Sequence, residues 1–295
     1  MACAKSHNLL PYAAALCAIF AVAVPVASFA QGRGAADEGL ELVDPNVLRV
    51  CADPNNLPFS NEKGEGFENK LAELFAEKLG KKLAYTFYPQ ATGFVRMTLG
   101  SHRCDVIMGY PQGDEMVQST NPYYQTAYAL VTKRGGPLES VEALGDPRLR
   151  DKRIGIVAGT PPATYLVAHG LMAKAKSYPL VVDTRFESSA VSMMKDLVSD
   201  EIDAGVLWGP IAGYRALHAE PPMHVELLLK DTGGPHLVYR ITMGVRPSDQ
   251  NWKRQLNKLI AENQPAIDKL LLDFGVPLLD ANGQPLVGNP SAPKQ

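Results

Sequence analysis

Between Asp53 and Glu65 the chain reads DPNNLPFSNEKGE, a run of oxygen-bearing side chains of the kind that hold a hard cation such as calcium or a lanthanide. The spacing fails the loop geometry such a site needs. Counted from Asp53, the sixth position is Pro58 where the EF-hand turn requires Gly, and the twelfth is Gly64 where it requires Glu. Solvated loop and turn residues account for the run, and no metal is expected. The histidines beyond the first thirty residues (His102, His169, His218, His224, His236) show no HxxxH or HExxH spacing, and there is no CxxC pair. No GxSxG occurs, and neither Cys51 nor Cys104 has a local catalytic signature. Carboxylates can meet across a cleft, but nothing in the spacing nominates a pair. The expectation is a protein that is not an enzyme and carries no cofactor.

Binding chemistry has better candidates. Gly159-Thr160 precedes Pro161 at a helix start, with Thr160 as N-cap and Pro161 in the first helical position, so backbone N–H groups there could hold a carboxylate or phosphate. Ordinary capping explains the same residues. The aromatics Phe59, Tyr110, Tyr123, Tyr124, Tyr128 and Trp208 fall at or near expected loops and crossings. Tyr110 and Trp208 each end a strand, where open α/β sheets bind ligands. Asp53, Asn55 and Asn56 occupy the loop after the first strand. The candidate cleft is therefore Asp53, Asn55, Asn56, Phe59, Tyr110, Tyr128, Gly159, Thr160 and Trp208.

Those residues must be positioned by alternating strands and helices. Leu48–Ala52 reads as a buried strand, and Phe67, Leu71, Leu74, Phe75 and Leu79 make one apolar helical face closed by Gly80. Strands follow at 83–89 and 104–109, then a turn-rich loop Gly109–Gly113 and an extended run 123–133. After a charged linker at 137–153 come a strand at 154–158, a helix with Val191, Met194, Leu197 and Val198 on one face, and strands at 202–208 and 225–229. A return strand at 240–246 precedes helices near 249–262 and 265–274. An α/β clamshell follows, with one lobe from 46–127 and 241–282, a second from 134–237, two crossover segments near 127–133 and 238–245, and a flexible tail at 283–295.

The first thirty residues carry Lys5, an apolar run Leu9–Val26 and the small-residue site Ala27-Ser28-Phe29-Ala30, which together read as a secretory signal cut before Gln31. Removing thirty residues from 295 leaves 265, beyond the size at which one core usually stops growing. A net charge of −2 gives no reason to expect nucleic acid. No membrane span is expected after cleavage, and the periplasm is the expected compartment. There, Cys51 and Cys104 could pair. If strands 48–52 and 104–109 are parallel neighbours, however, one cysteine ends its strand and the other begins its own, a separation that can exceed roughly 7 Å. A bridge and two small buried hydrophobes both stay open.

In order and spacing, RVCADPNNLPFSN, GFENKLAELFAEKLG, CDVIMG, NPYY, IGIVAGT and IDAGVLW resemble the type II periplasmic solute-binding proteins over roughly 46–282. CADPNNLPFSN, GFENKLA, CDVIMGYPQGDE and STNPYY are similar, more narrowly, to the MxaJ/XoxJ family of J proteins that accompany PQQ-dependent methanol dehydrogenases, the first pointing to the XoxJ branch. The resemblance implies a non-enzymatic accessory of a lanthanide-type, XoxF-like dehydrogenase, with that enzyme and its cytochrome c as partners. Amino-acid binders of this superfamily usually follow the third strand with a Thr and an Arg that grips the ligand carboxylate, and place an Asp after the IDAGVLW-type strand for the ammonium. Here the loop Gly109–Met116 has no Arg, and Gly209-Pro210 stands at the second place. The alternative is a receptor of an ABC transporter for a small molecule other than a typical amino acid.

Overall fold

The computed structural model describes residues 41–286. The secretory signal expected at 1–30 and the tail beyond 286 lie outside the described residues. β1 (Val47–Ala52) is flanked by two parallel neighbours, β4 (Lys82–Phe87) and β5 (Val106–Pro111). β12 (Val238–Val245) runs antiparallel to β5, and β7 (Tyr124–Lys133) antiparallel to β12. β7 then changes partners. From Tyr128 onward it pairs with β10 (Ala204–Trp208), and along Ala129–Lys133 with β11 (Met223–Leu227), both antiparallel. β8 (Ile154–Val157) and β9 (Lys176–Tyr178) extend that side in parallel. A short β6 (Gln118–Ser119) pairs with β12, and β2 (Asn55–Asn56) with β3 (Ser60–Asn61) makes a hairpin directly after β1.

The helices cover the sheet because their apolar residues recur at helical spacing. α1 (Phe67–Leu79) buries Phe67, Leu71, Ala72, Phe75 and Ala76 and stops at Gly80, whose φ of 63° is the left-handed conformation that ends a helix cheaply only at glycine. α1 and the long α6 (Gln250–Asp273) cover one face of β1, β5 and β12, with Trp252, Leu256, Ile260, Ile267 and Leu271 in the shared core. α2 (Phe94–Met97) lies on the opposite face with Leu99, Ile107 and Val117. On the other side of β7, α4 (Ser189–Val198) and α5 (Gly209–Leu217) share one core with β7 and β11, while α3 (Pro161–Ala168) packs into another with Leu130, Ile156 and Val206. Each half is thus a sheet with helices on both faces. Among the described residues no helix is long and apolar enough to cross a membrane.

Several expected boundaries move. β5 starts at Val106, not at residue 104, and continues through Gly109-Tyr110-Pro111, so three of the five residues of the expected turn-rich loop are strand. The two helices expected near 249–262 and 265–274 are one, with Pro265 inside it. Proline removes one backbone donor there, yet the apolar stripe continues on both sides and burial holds the helix together. On α4 the buried face is Ala190, Met193, Met194 and Leu197, while Val191 and Val198 point to solvent. The chain after α6 docks onto the body: Val276 and Leu278 are buried, the Leu279 N–H donates to the Gln125 carbonyl, and Leu286 N–H folds back to Leu278.

The later start of β5 decides the cysteine geometry. The chain bends at Asp105 before entering the strand, so Cys104 is not held in the sheet register. Cys51 and Cys104 form a disulfide with their Cα atoms 5.4 Å apart, packed among Phe94, Val95, Leu99 and Ile107. The bridge closes a segment of 53 residues, for which loop-closure entropy gives about 4 kcal/mol. A Cys51→Ser/Cys104→Ser variant is expected to unfold at lower denaturant by most of that amount with little change in the native far-ultraviolet dichroism. Equal midpoints would contradict it.

Candidate cleft at the strand ends

The hairpin after β1 is built around Asp53, which is only 2% exposed. One carboxylate oxygen accepts from Asn55 N–H (2.9 Å), the other from Gln90 N–H (2.6 Å), and the Thr184 hydroxyl donates across both (2.9 and 3.0 Å). Ser60 completes the turn by accepting from Asp53 N–H and donating to its carbonyl. The Asn55 side-chain amide donates to the Thr184 carbonyl at 2.9 Å. A loop at the end of β1 is therefore stapled to a segment about 130 residues later in the chain.

That staple spans one edge of a cleft of about 1330 Å³. Its floor is aromatic: Trp208 and Tyr128 face each other across the β10–β7 pair with centroids 5.1 Å apart, and Tyr239 from β12 lies 5.7 Å from Trp208. Burial pushes Tyr128 up to about 12, helped by Tyr239. Phe59 packs edge-on against Phe67 at 5.3 Å. The lip beside the stapled Thr184 is Leu180, Val181 and Phe186, which line the cleft while being 57%, 60% and 80% exposed. Apolar side chains this open at a cleft mouth suit a partner surface more than solvent.

Of the sequence candidates, Asn55, Asn56, Phe59, Tyr110, Tyr128, Thr160 and Trp208 line this cleft. Asp53 does not; its carboxylate is consumed by the staple. Gly159 does not either: with φ at +77° it turns the chain from β8 into α3 beneath Leu180. Thr160 is the N-cap residue of α3, but its hydroxyl donates backward to the Val157 carbonyl at 2.7 Å and no side-chain cap forms. Tyr123 is buried behind the wall, with its hydroxyl on the Met108 carbonyl. Among the described residues no cluster of three or more His, Cys, Asp or Glu is placed to hold a metal.

Three charged residues that the sequence reading passed over line the cleft: Glu68, Glu187 and Arg215. Arg215 on α5 reaches the Leu57 carbonyl at 3.5 Å and lies over the Tyr214 ring at 5.7 Å, its Nε has no hydrogen bond among the described residues, and burial lowers its affinity for the proton. Glu68, the second residue of α1, is 8% exposed, and among the described residues its carboxylate has no hydrogen-bond or ion-pair partner. Burial first, and the charge of Asp53 second, push it from an ordinary 4.5 up to about 8. Glu68 Oε1 occupies the space a side chain at Gly109 would need: a Cβ there would lie 2.2 Å from it. An acidic residue in the first turn of a helix is explained by the helix dipole alone, which hides Glu68 in the sequence. The place where amino-acid binders carry an Asp is closed by packing, since a Cβ on Gly209 would lie 2.4 Å from the Ala127 carbonyl oxygen.

Comparison with known proteins agrees with this architecture. The family described as bacterial extracellular solute-binding proteins, family 3, matches residues 48–270. The chain is 26% identical to Protein MoxJ of Methylorubrum extorquens over 288 residues, covering 92% of this chain and 95% of that one. It superposes on the crystal structure of the periplasmic binding protein XoxJ from Methylobacterium extorquens AM1 with a TM-score of 0.69 and 40% identity, over 79% of this chain and 99% of that one. An ancestral cationic amino acid solute-binding protein, 21% identical with a TM-score of 0.60 over 78% of this chain and 95% of that one, shares the fold. The chain is a two-lobed type II periplasmic-binding-protein clamshell with two crossover segments. It belongs to the family 3 extracellular solute-binding proteins and, within them, to the MxaJ/XoxJ group.

A raised carboxyl in the folded state makes stability fall as pH rises. Glu68 subtracts nothing below its unfolded value near 4.5, an increasing amount as pH climbs to about 8, and a constant amount above. The stability of Glu68→Gln relative to the native protein is therefore expected to grow across that window, by at most roughly 1.4 kcal/mol per pH unit. Denaturant titrations from pH 4 to 9 check this; parallel curves for the two proteins would contradict it.

Proposed function

We propose that this protein is a periplasmic, non-enzymatic accessory of a PQQ-dependent methanol dehydrogenase of the lanthanide-dependent, XoxF-like type, assisting its maturation or activation. The observation that carries the reading is the 40% identity to XoxJ across nearly all of that protein's length. It is supported by a cleft in which neither half of the amino-acid clamp is present: the loop after β5 has no Arg, and Gly209 has no room for a side chain. PQQ in this reading is the dehydrogenase's cofactor and not this protein's. The dehydrogenase's cytochrome c is a further candidate partner.

In this reading residues 46–127 with 241–282 form one jaw and 134–237 the other, with β7 and β12 as the two crossings. The staple from Asp53 and Asn55 to Thr184 favours one jaw arrangement, and a partner segment entering past Leu180, Val181 and Phe186 competes with it. A partner shifts such a balance only by the difference between its affinities for the two arrangements. Family membership alone also supports a second reading, a receptor that hands a small solute to an ABC transporter.

The mature protein is expected to bind the purified dehydrogenase at micromolar concentration or tighter and to raise its specific activity or cofactor occupancy. Surface plasmon resonance with a parallel activity and PQQ assay checks this. No association at micromolar concentration, together with unchanged activity and occupancy, would overturn it. A specific small solute bound at micromolar affinity by a protein indifferent to the dehydrogenase would favour the transport reading instead.

A further inference from the structure

We propose that the cleft contains a cation subsite centred on Glu68, which accepts a primary ammonium or guanidinium group carried on an apolar stem. The argument starts from what the fold does with its other buried acids. Asp105 receives two arginines, Arg49 at 2.8 Å and Arg246 at 2.7 Å, and Asp53 receives three donors. Glu68 is 8% exposed against 2% for Asp53 and 0% for Asp105, sits on the cleft wall against Gly109, and has no donor among the described residues. A buried carboxyl with no partner costs the fold stability, so its retention beside an open cavity points to a partner that arrives from outside.

The surroundings select the partner. The charged and titratable groups that act on Glu68 or feel it are Asp53 from the β1 loop, Tyr123 and Tyr124 at the start of β7, and Tyr85 on β4; none of them is a cation. Arg215 and Glu187 line the same cleft, and among the described residues neither forms an ion pair with Glu68. Tyr124 lines the cleft beside Phe67 (centroids 6.3 Å apart), and the Tyr128–Trp208–Tyr239 cluster supplies further ring surface. Aromatic faces around an acid attract a cationic nitrogen and cover its alkyl stem. Because Glu68 holds its proton at neutral pH in the empty cleft, a cation must displace that proton, and binding should strengthen as pH rises toward 8.

This subsite stands independently of the accessory reading, and small probes test it without the dehydrogenase. The mature protein would be titrated calorimetrically with n-hexylammonium, with the capped tripeptide acetyl-Ala-Lys-Ala-amide, and with their neutral counterparts 1-hexanol and the norleucine tripeptide. Titrations at pH 6 and 8, in two buffers of different ionisation enthalpy, read the coupled proton. The expected result is that at least one charged probe binds roughly tenfold or more tightly at pH 8 than at pH 6 with release of a proton, while its neutral counterpart is weaker at pH 8 by a similar factor. Glu68→Gln, nearly isosteric and expected to fold, should abolish the pH dependence. Hexylammonium binding as well as the lysine peptide would identify free amines as the source; preference for the peptide would identify a partner's side chain. Neutral probes binding as tightly as charged ones, affinity falling with pH, an unchanged Glu68→Gln, or no binding of any probe would each overturn the subsite. The pH slope and proton release in the native protein decide the matter even if the variant fails to fold.

Discussion

The antiparallel pairing of β7 with β12, Tyr124 opposite Ile241 through Ala127 opposite Val238, is the constraint on which the rest of the molecule depends. From the next residue, Tyr128, which still donates its N–H to the Leu237 carbonyl, β7 also takes β10 as its register partner, so a single strand belongs to both halves of the sheet. What packs on that seam is correspondingly close. The Thr126 hydroxyl donates to the Pro277 carbonyl at 2.5 Å, Leu279 N–H reaches Gln125, and α5 begins at Gly209 with no side chain between it and the Ala127 carbonyl. The aromatic floor of the cleft is attached to the same pairs, because Trp208 is the register partner of Tyr128 and Tyr239 of Thr126. The backbone that joins the halves therefore also carries the floor of the cleft. Filling the space at Gly209 to rebuild an amino-acid clamp would push on the seam itself.

Electrostatics separate scaffold from site. At the start of β5, Asp105 is 1% exposed by side chain and bridges Arg49 of β1 and Arg246 after β12, while Arg246 pairs with Asp249 at 2.8 Å and donates to the Cys104 carbonyl. Trp252 of α6 donates its indole N–H to the Asp105 carbonyl. Breaking one partner out of such a buried set is costly, on the order of 3–5 kcal/mol, because the charge left behind is unpaired. The network orients β1, β5, β12 and α6 around the disulfide. Glu68 is the opposite case: it is buried in the cleft wall, with no compensating partner among the described residues. Two carboxylates in one lobe thus receive opposite treatment, and the difference follows their position relative to the cleft.

Much of this was legible in the sequence because burial writes itself as period. The helix face from Phe67 to Phe75, the glycine stop at Gly80 and the near-continuous apolar strands are consequences of covering a sheet on both sides. The misreadings have local causes. Pro265 looks like a helix boundary because it lacks a donor, and only the stripe from Trp252 to Leu271 shows that packing outweighs it. Val191 and Val198 fit a helical stripe as well as Met193 does, and which side faces the core is decided by β7 and β11. Asp53 advertises ligand chemistry, but its donors come from Gln90 and Thr184, which no local pattern connects to it. Glu68 is masked by its helix-start position. The apolar run Leu180-Val181-Val182 and Phe186 carried a readable signal, hydrophobic residues in a segment without strand or helix period, and it forms the cleft lip.

The central claim is that this cleft, with its stapled hairpin and apolar lip, is the surface that meets the dehydrogenase. Amide hydrogen exchange of the mature protein, alone and with a saturating amount of the dehydrogenase, tests it most directly. The account predicts slowed exchange in residues 53–61 and 180–187, with the buried strands of both halves unchanged. Protection confined to surfaces away from both segments, with the cleft exchanging as it does in the protein alone, would contradict it.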